Sequence, residues 1–385
     1  MPRFLRSVRV SAQRQTLHVI HYFTAQTINQ RFPKNEEFPL MNRPLIAGRW
    51  KALSFAGGIC LLAAVMLISL GLGQYPISPK EIMTFLGQSW FDVSWFTDDQ
   101  MDALKTVLWD IRFPRILAAA LIGAALSVSG AAYQAMFVNP LMSPQMLGVL
   151  FGSSFGAALG MVLFKSWYAV QVTAFAGGLA AVGVAVLIAM SWRVNSTIML
   201  VLGGIISGAL FSSLLELVKY TADPYNQLPA ITYWLMGSLS QPDRETVFKA
   251  AIPICLGIAF LIFMGRHINV LSMGDEEARA LGLPVSRIRL AVILCATVIS
   301  AMTVVIAGSI QWIGLIIPHF TRMITGPNNE RLLPAAALIG AGYLIVVDDI
   351  CRLLFTFELP IGIVTSLLGI PCFALVIRNA RKGWN

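Results

Sequence analysis

The sequence predicts an all-α integral membrane protein of about ten transmembrane helices. Three observations lead there. Of the 385 residues, 57% are hydrophobic, and the mean hydropathy is +0.72. Only 12% are charged, about half the ~25% ordinary in soluble domains. Apolar runs near the roughly 20 residues a helix needs to cross hydrocarbon recur along almost the whole chain after residue 50.

Residues 1–50 read as a basic, polar tail, disordered or lying at the cytoplasmic surface, and Met41 is an alternative start. No apolar stretch in the tail is followed by a small-residue cleavage site, so it does not read as a secretory signal. The rest, 51–380, reads as one integral membrane domain. Its first span is expected at 52–73. The segment 74–113 carries Glu81, Asp92, Asp98, Asp99, Asp102 and Asp110 and is placed outside, on the periplasmic side. Within it, Thr97-Asp98-Asp99 caps a short amphipathic helix expected to end before Pro114.

Further spans are expected at 115–136, 146–164, 169–190 and 197–219, then 247–265 after an outer connection, 220–246. A cytoplasmic loop, 266–286, precedes spans at 287–308, 310–325, 332–352 and 361–378. Most Lys and Arg then fall on the cytoplasmic side, with Arg3 to Lys51 ahead of the first span. That excess puts both termini in the cytoplasm. The breaks at Asn139-Pro140-Leu141-Met142-Ser143-Pro144 and Glu358-Leu359-Pro360 predict interrupted helices, which membranes tolerate only inside protein or along a cavity.

The formal charge of +9 does not mark a nucleic-acid reader, because the basic residues are dispersed between apolar runs rather than gathered on one solvated face. Cys60, Cys255, Cys295, Cys351 and Cys372 lie within apolar segments, without metal or redox spacing. No Gly-Lys dipeptide occurs, so the chain lacks the phosphate-cradling loop of a nucleotide hydrolase. Energy for transport must come from a partner ATPase or from an ion gradient. Glu216, His319, Asp348, Asp349, Arg352 and Glu358 are the ionisable groups nearest membrane depth, and most sit close to predicted span ends.

Asp348-Asp349 lacks the second acidic cluster that metal-diphosphate chemistry needs, so no metal site and no catalytic residue is assigned. An Asp–Arg pair closing the span is the better reading. The loop stretch Gly274-Asp275-Glu276-Glu277-Ala278-Arg279-Ala280-Leu281-Gly282 reads as a short helix with an acidic start and a glycine stop.

Together with Arg112-Phe113-Pro114-Arg115, Gly123 to Gly148, Gly314 to His319 and Glu358-Leu359-Pro360-Ile361-Gly362, that loop resembles the FecCD-type permeases of bacterial ABC importers for ferric siderophores, haem and cobalamin. The resemblance spans roughly residues 50–380. It implies a type II importer architecture in the bacterial inner membrane: a homodimer that binds two cytoplasmic ATPases and takes substrate from a periplasmic binding protein. ATP and Mg would be held by the ATPase, leaving this chain without a cofactor.

By the same resemblance, Gly274, Glu276, Ala278, Leu281 and Gly282 would contact the ATPase. Arg112, Arg115 and Arg352 would be rim arginines engaging the binding protein. Asn139, Leu141, Ser196 and Thr197 would form the cytoplasmic gate, and Gly204, Ser207, Gly208 and Ser212 would line the path. The implied cargo is an iron-siderophore-type chelate, with haem, cobalamin or molybdate as alternatives; an ion-coupled carrier and a membrane enzyme are the rival classes. Two places depart from the family pattern: Gln311-Trp312 stands where Gly-Phe is usual, and Asp348-Asp349 where a single Asp is usual.

Overall fold

The computed structural model describes residues 44–75, 77–91, 98–164, 166–191, 197–240, 242–355 and 357–380. The chain divides into two units, Met1–Leu53 and Ser54–Asn385. Only 44–53 of the first are described, and they are helical; the expectation for residues 1–43 falls outside the described residues. Apart from the start of α1, which begins ahead of Ser54, everything below concerns the second unit.

Its helices match the ten expected spans one for one. They are α1 (Pro44–Gly71), α4 (Phe113–Met136), α5 (Val149–Leu163), α6 (Trp167–Ser191), α7 (Thr197–Thr221), α9 (Arg244–Phe263), α12 (Val285–Ala307), α13 (Ile313–Thr325), α14 (Asn329–Leu353) and α15 (Ile361–Ala380). Between them lie α2 (Pro79–Phe91), α3 (Asp98–Lys105), α8 (Gln227–Leu235), α10 (Gly265–Leu271) and α11 (Asp275–Ala280). Helix α1 begins ahead of the expected residue 52, since Pro44 presets the first-turn φ and needs no hydrogen-bond partner for a missing N–H.

One boundary is corrected. The short outer helix does not stop before Pro114 but runs through a π-helical stretch, Thr106–Arg112, straight into α4. Proline lacks the N–H for an ordinary helical bond, and its ring crowds the carbonyl four residues back. The wider turn relieves this, with the N–H of Phe113 reaching Leu108 O instead. Helix α2, not expected from the sequence, starts at a reciprocal cap: Ser78 N–H donates to Glu81 Oε2 at 2.7 Å, and Glu81 N–H to Ser78 Oγ at 3.2 Å. The Ser78 backbone bond holds the exposed Glu81 carboxyl below the ordinary glutamate range. Ile82 and Phe85 of α2 then pack with Leu104 and Leu108.

At the centre stands α4, nearly every residue of which is buried against α9, α12, α13 and α14. Between helices in lipid, attraction comes mainly from close van der Waals packing, which small residues permit. Backbones accordingly touch: a Cβ on Gly123 would lie 2.1 Å from Gly340 O, and one on Gly130 1.9 Å from Gly314 O. Helices α5 and α6 meet the same way, Gly152 at Gly177 and Gly156 at Thr173.

Of the two interruptions expected at proline breaks, the one at 139–144 is present, while Glu358-Leu359-Pro360 lies in the connection between α14 and α15. After α4 the chain turns inward through a 3₁₀ turn, Pro144–Leu147, whose Met142, Pro144 and Leu147 are buried. Helix α13 is likewise short, preceded by an unwound stretch at 308–312. The two unwound stretches meet where Gln145 Nε2 donates to Ile310 O at 3.0 Å. Backbone groups freed at membrane depth thus find partners within protein.

Candidate functional site

Two places gather the sequence-marked residues, one at each end of the bundle. The first lies where α4 begins and α14 ends. Asp348 and Arg352 are four apart on α14 and therefore share a face. Arg115, one turn into α4, donates Nε and Nη2 to Asp348 at 3.0 Å and Nη1 to Glu358 at 2.8 Å. Arg352 Nε reaches Asp348 Oδ2 at 3.2 Å, while its Nη2 pairs with Asp349. Ser69 of α1 donates to Asp349 Oδ1 at 2.6 Å. Arg112 donates to the carbonyls of Leu70 and Tyr75, and Arg352 to that of Leu72.

Three arginines and three carboxylates therefore balance, knitting α1, α4, α14 and the segment before α15. Removing such charges from water is costly unless they are paired or hydrogen-bonded; Arg115 and Arg352 pair with carboxylates, and Arg112 is held by backbone carbonyls. This corrects the expected rim placement: Arg112, Arg115 and Arg352 are 4%, 8% and 6% exposed. Glu358 is the most open member, at 39% side-chain exposure. The reading of Asp348-Asp349 with Arg352 as a pair closing the span agrees with this geometry.

The second place is the loop between α9 and α12. Helix α11 is a six-residue helix closed by a double hydrogen bond, Gly282 N–H to Arg279 O at 2.9 Å and Leu283 N–H to Ala278 O at 3.0 Å. That pattern puts Gly282 in the left-handed region, with φ +80°. Asp275 pairs with Arg289 of α12, which ties the short helix to a long one. Glu276, Leu281 and Gly282 face outward, and Gly274 is half-buried. Ala278 is fully buried and is a floor for the helix; its expected surface contact is corrected.

Beside this loop, Asn139 and Leu141 are exposed, and the Asn139 side chain accepts from Leu141 N–H at 2.9 Å. The preceding Val138 sits at φ +50°, unusual for a β-branched residue. A cavity of about 270 Å³ lies between this turn and the base of the loop, bounded by Gln134, Asn139, Ser272, Arg322 and Asn329. Arg322 Nη2 donates to Gln134 Oε1 at 3.1 Å, a contact that no short motif signals. Thr197 opens α7, while Ser196 falls outside the described residues.

The expected path residues are placed differently. Gly204, Ser207 and Gly208 are buried on the packing face of α7, where a Cβ on Gly204 would lie 2.3 Å from Met146 O. Ser207 Oγ donates to Ala181 O at 2.6 Å, and Ser212 is half-buried. The open face of α7 carries Leu202, Ile205, Ile206 and Leu210 instead. Small residues mark where helices touch, so the glycine stripe faces inward.

Residues 61–379 match the model of the FecCD transport family. The chain is 36% identical over 323 residues to the molybdate import system permease protein MolB of Haemophilus influenzae, covering 84% of this chain and 94% of that one. It is 35% identical over 329 residues to the vitamin B12 import system permease protein BtuC of Escherichia coli, covering 84% and 94%. A solved structure described as an inward-facing ABC transporter of metal-chelate type superposes with a TM-score of 0.75 at 34% identity, over 85% of this chain and 99% of that one. With its apolar helices and this breadth of match, the chain belongs to the FecCD transport family and is a multi-pass membrane permease of an ABC importer, not an enzyme.

Proposed function

We propose that the chain carries an iron-siderophore-type metal chelate from periplasm to cytoplasm across the inner membrane, as a homodimer driven by two cytoplasmic ATPases. Both termini would then face the cytoplasm, and ATP and Mg would be bound by the ATPase alone. The observation that carries this reading is α11: a compact helix anchored through Asp275 and Arg289, presenting Glu276, Leu281 and Gly282 outward. A motorless permease needs such a rigid handle. Asn139, Leu141, Ser196 and Thr197 are assigned to the gate beside it.

A binding protein would dock at the opposite end. Since all three arginines are buried and engaged, their role there is to hold the rim that the partner meets, Arg115 the segment at Glu358 and Arg112 and Arg352 the turn at residues 70–75. The path is assigned to the open α7 face of Leu202, Ile205, Ile206 and Leu210, with Gly204, Ser207, Gly208 and Ser212 seating the helix behind it.

Molybdate is the second reading for the cargo, favoured by the 36% identity to a molybdate permease. The test is uptake into proteoliposomes containing permease, ATPase and binding protein. Labelled ferric siderophore should enter, and excess molybdate should not compete. Uptake should vanish when the ATPase is omitted. Gly282→Asp puts a charged side chain at the presented tip, and should insert normally yet lower substrate-stimulated ATP hydrolysis about tenfold, the effect of losing roughly 1.4 kcal/mol at a contact centre. Uptake without ATPase would overturn the assignment in favour of an ion-coupled carrier.

A further inference from the structure

Helices α6 and α9 both begin at the bundle end that carries the arginine cluster, and both pack on α12 while leaving a gap between them. The gap is a groove of about 660 Å³. Its floor is apolar: Phe175, Ala250, Met302 and Val305. Its mouth is charged, with Asp243, Glu245 and Lys249 exposed at the start of α9 and Trp167 and Tyr168 exposed at the start of α6. Gln171 Nε2 and Thr246 Oγ1 bridge the two helices at 3.5 Å just below.

The depth profile is that of a half-bilayer. Aromatic residues with polar tips favour the level where hydrocarbon meets headgroups, and the groove runs from that level down an apolar wall. The mouth also holds both signs of charge within reach of one small group. Glu245 and Lys249 pair at 2.5 Å with side chains 71% and 68% exposed, a solvated pair of little intrinsic strength. Asp243 Oδ1 accepts from Thr246 N–H at 3.2 Å, and the residue is exposed. Arg244 is engaged elsewhere, its guanidinium lying over Trp109 at 5.1 Å and Phe248 at 5.8 Å, beside a neighbouring hollow that Asp243 and Glu245 also border.

We propose that this groove binds one zwitterionic aminophospholipid of the phosphatidylethanolamine type. Its primary ammonium donates to the carboxylates of Asp243 and Glu245, its phosphate accepts from Lys249, and an acyl chain lies along Phe175, Met302 and Val305. A zwitterion replaces the Glu245–Lys249 pair by two heterotypic contacts, its ammonium facing the two carboxylates and its phosphate facing Lys249, without adding net charge to a mouth that holds one more carboxylate than ammonium. A primary ammonium has three N–H donors; a choline headgroup has none, and a glycerol headgroup leaves the two carboxylates facing an anion.

The test is native mass spectrometry of the purified full chain released from mixed micelles containing equimolar phosphatidylethanolamine, phosphatidylcholine and phosphatidylglycerol. Phosphatidylethanolamine should be retained as a single adduct, roughly tenfold over either competitor. The exposed pair can be changed without disturbing the core, so Glu245→Gln with Lys249→Gln should fold normally and lose that preference. Tyr220→Ala, on an exposed residue away from the groove, should keep it. Equal retention of the three lipids by the wild type, or an undiminished preference in the double variant, would overturn the proposal.

Discussion

At the scale of single residues, the arginine cluster makes the sharpest statement. Arg115 faces Asp348 and Glu358 together, so Arg115→Met should leave two carboxylates without their main partner. Breaking a buried pair from one side costs about 3–5 kcal/mol, whereas replacing both members by apolar side chains is often near neutral. Arg115→Met is therefore expected to lower the thermal midpoint in detergent markedly, and Arg115→Met with Asp348→Leu to recover much of it. Simple additivity of the two single variants would show that the pair is not coupled. The sequence marked these residues but not their partners: Asp348 and Arg352 are legible as a same-face pair, while Arg115 lies 233 positions from Asp348, and only the fold brings them together. Trp312 is a second case. It stands in the left-handed region at φ +71° and opens α13. Its ring packs on Phe373 at 5.6 Å, which accounts for a bulky residue at a position that would otherwise favour glycine.

Among elements, the spans were legible and their interruptions partly so. Ten apolar runs forecast ten helices because hydrocarbon demands length and apolarity together. The prolines at 140 and 144 forecast the dip that follows α4. The small helices were harder, since α8 and α10 have nine and seven residues and little periodicity to read. For α2 the signal was present in Ser78-Pro-Lys-Glu81, a capping signature ahead of an apolar face. The small residues of α7 expected along the path, Gly204, Ser207 and Gly208, are buried against neighbouring helices, since small side chains allow helix backbones to approach closely. A direct consequence is testable at the α4–α13 crossing. Gly130→Leu has no room, because even a Cβ would lie 1.9 Å from Gly314 O. It should cost at least the 1–3 kcal/mol typical of overpacking. Low yield and early aggregation on heating are the expected readings; a wild-type melting profile would show that the two helices can separate freely.

For the whole molecule, membership of the family was readable from motifs in order along the chain, and the cargo was not. The relatives include a molybdate permease and a vitamin B12 permease at nearly the same identity, so identity does not rank the substrates. The mass of the purified, detergent-corrected particle should be twice the chain's 42.0 kDa if two copies enclose the path; a monomer that still transports would contradict that arrangement. The continuous rod from Gln100 to Met136 adds a further constraint. Its 37 residues span about 55 Å at 1.5 Å each, against roughly 30 Å of hydrocarbon. Close to half of it must project beyond the hydrocarbon, like a mast stepped in the hull. The outer segment and the end of α4 at Met136 thus belong to one unbroken helical run, whose coil widens only at Thr106–Arg112.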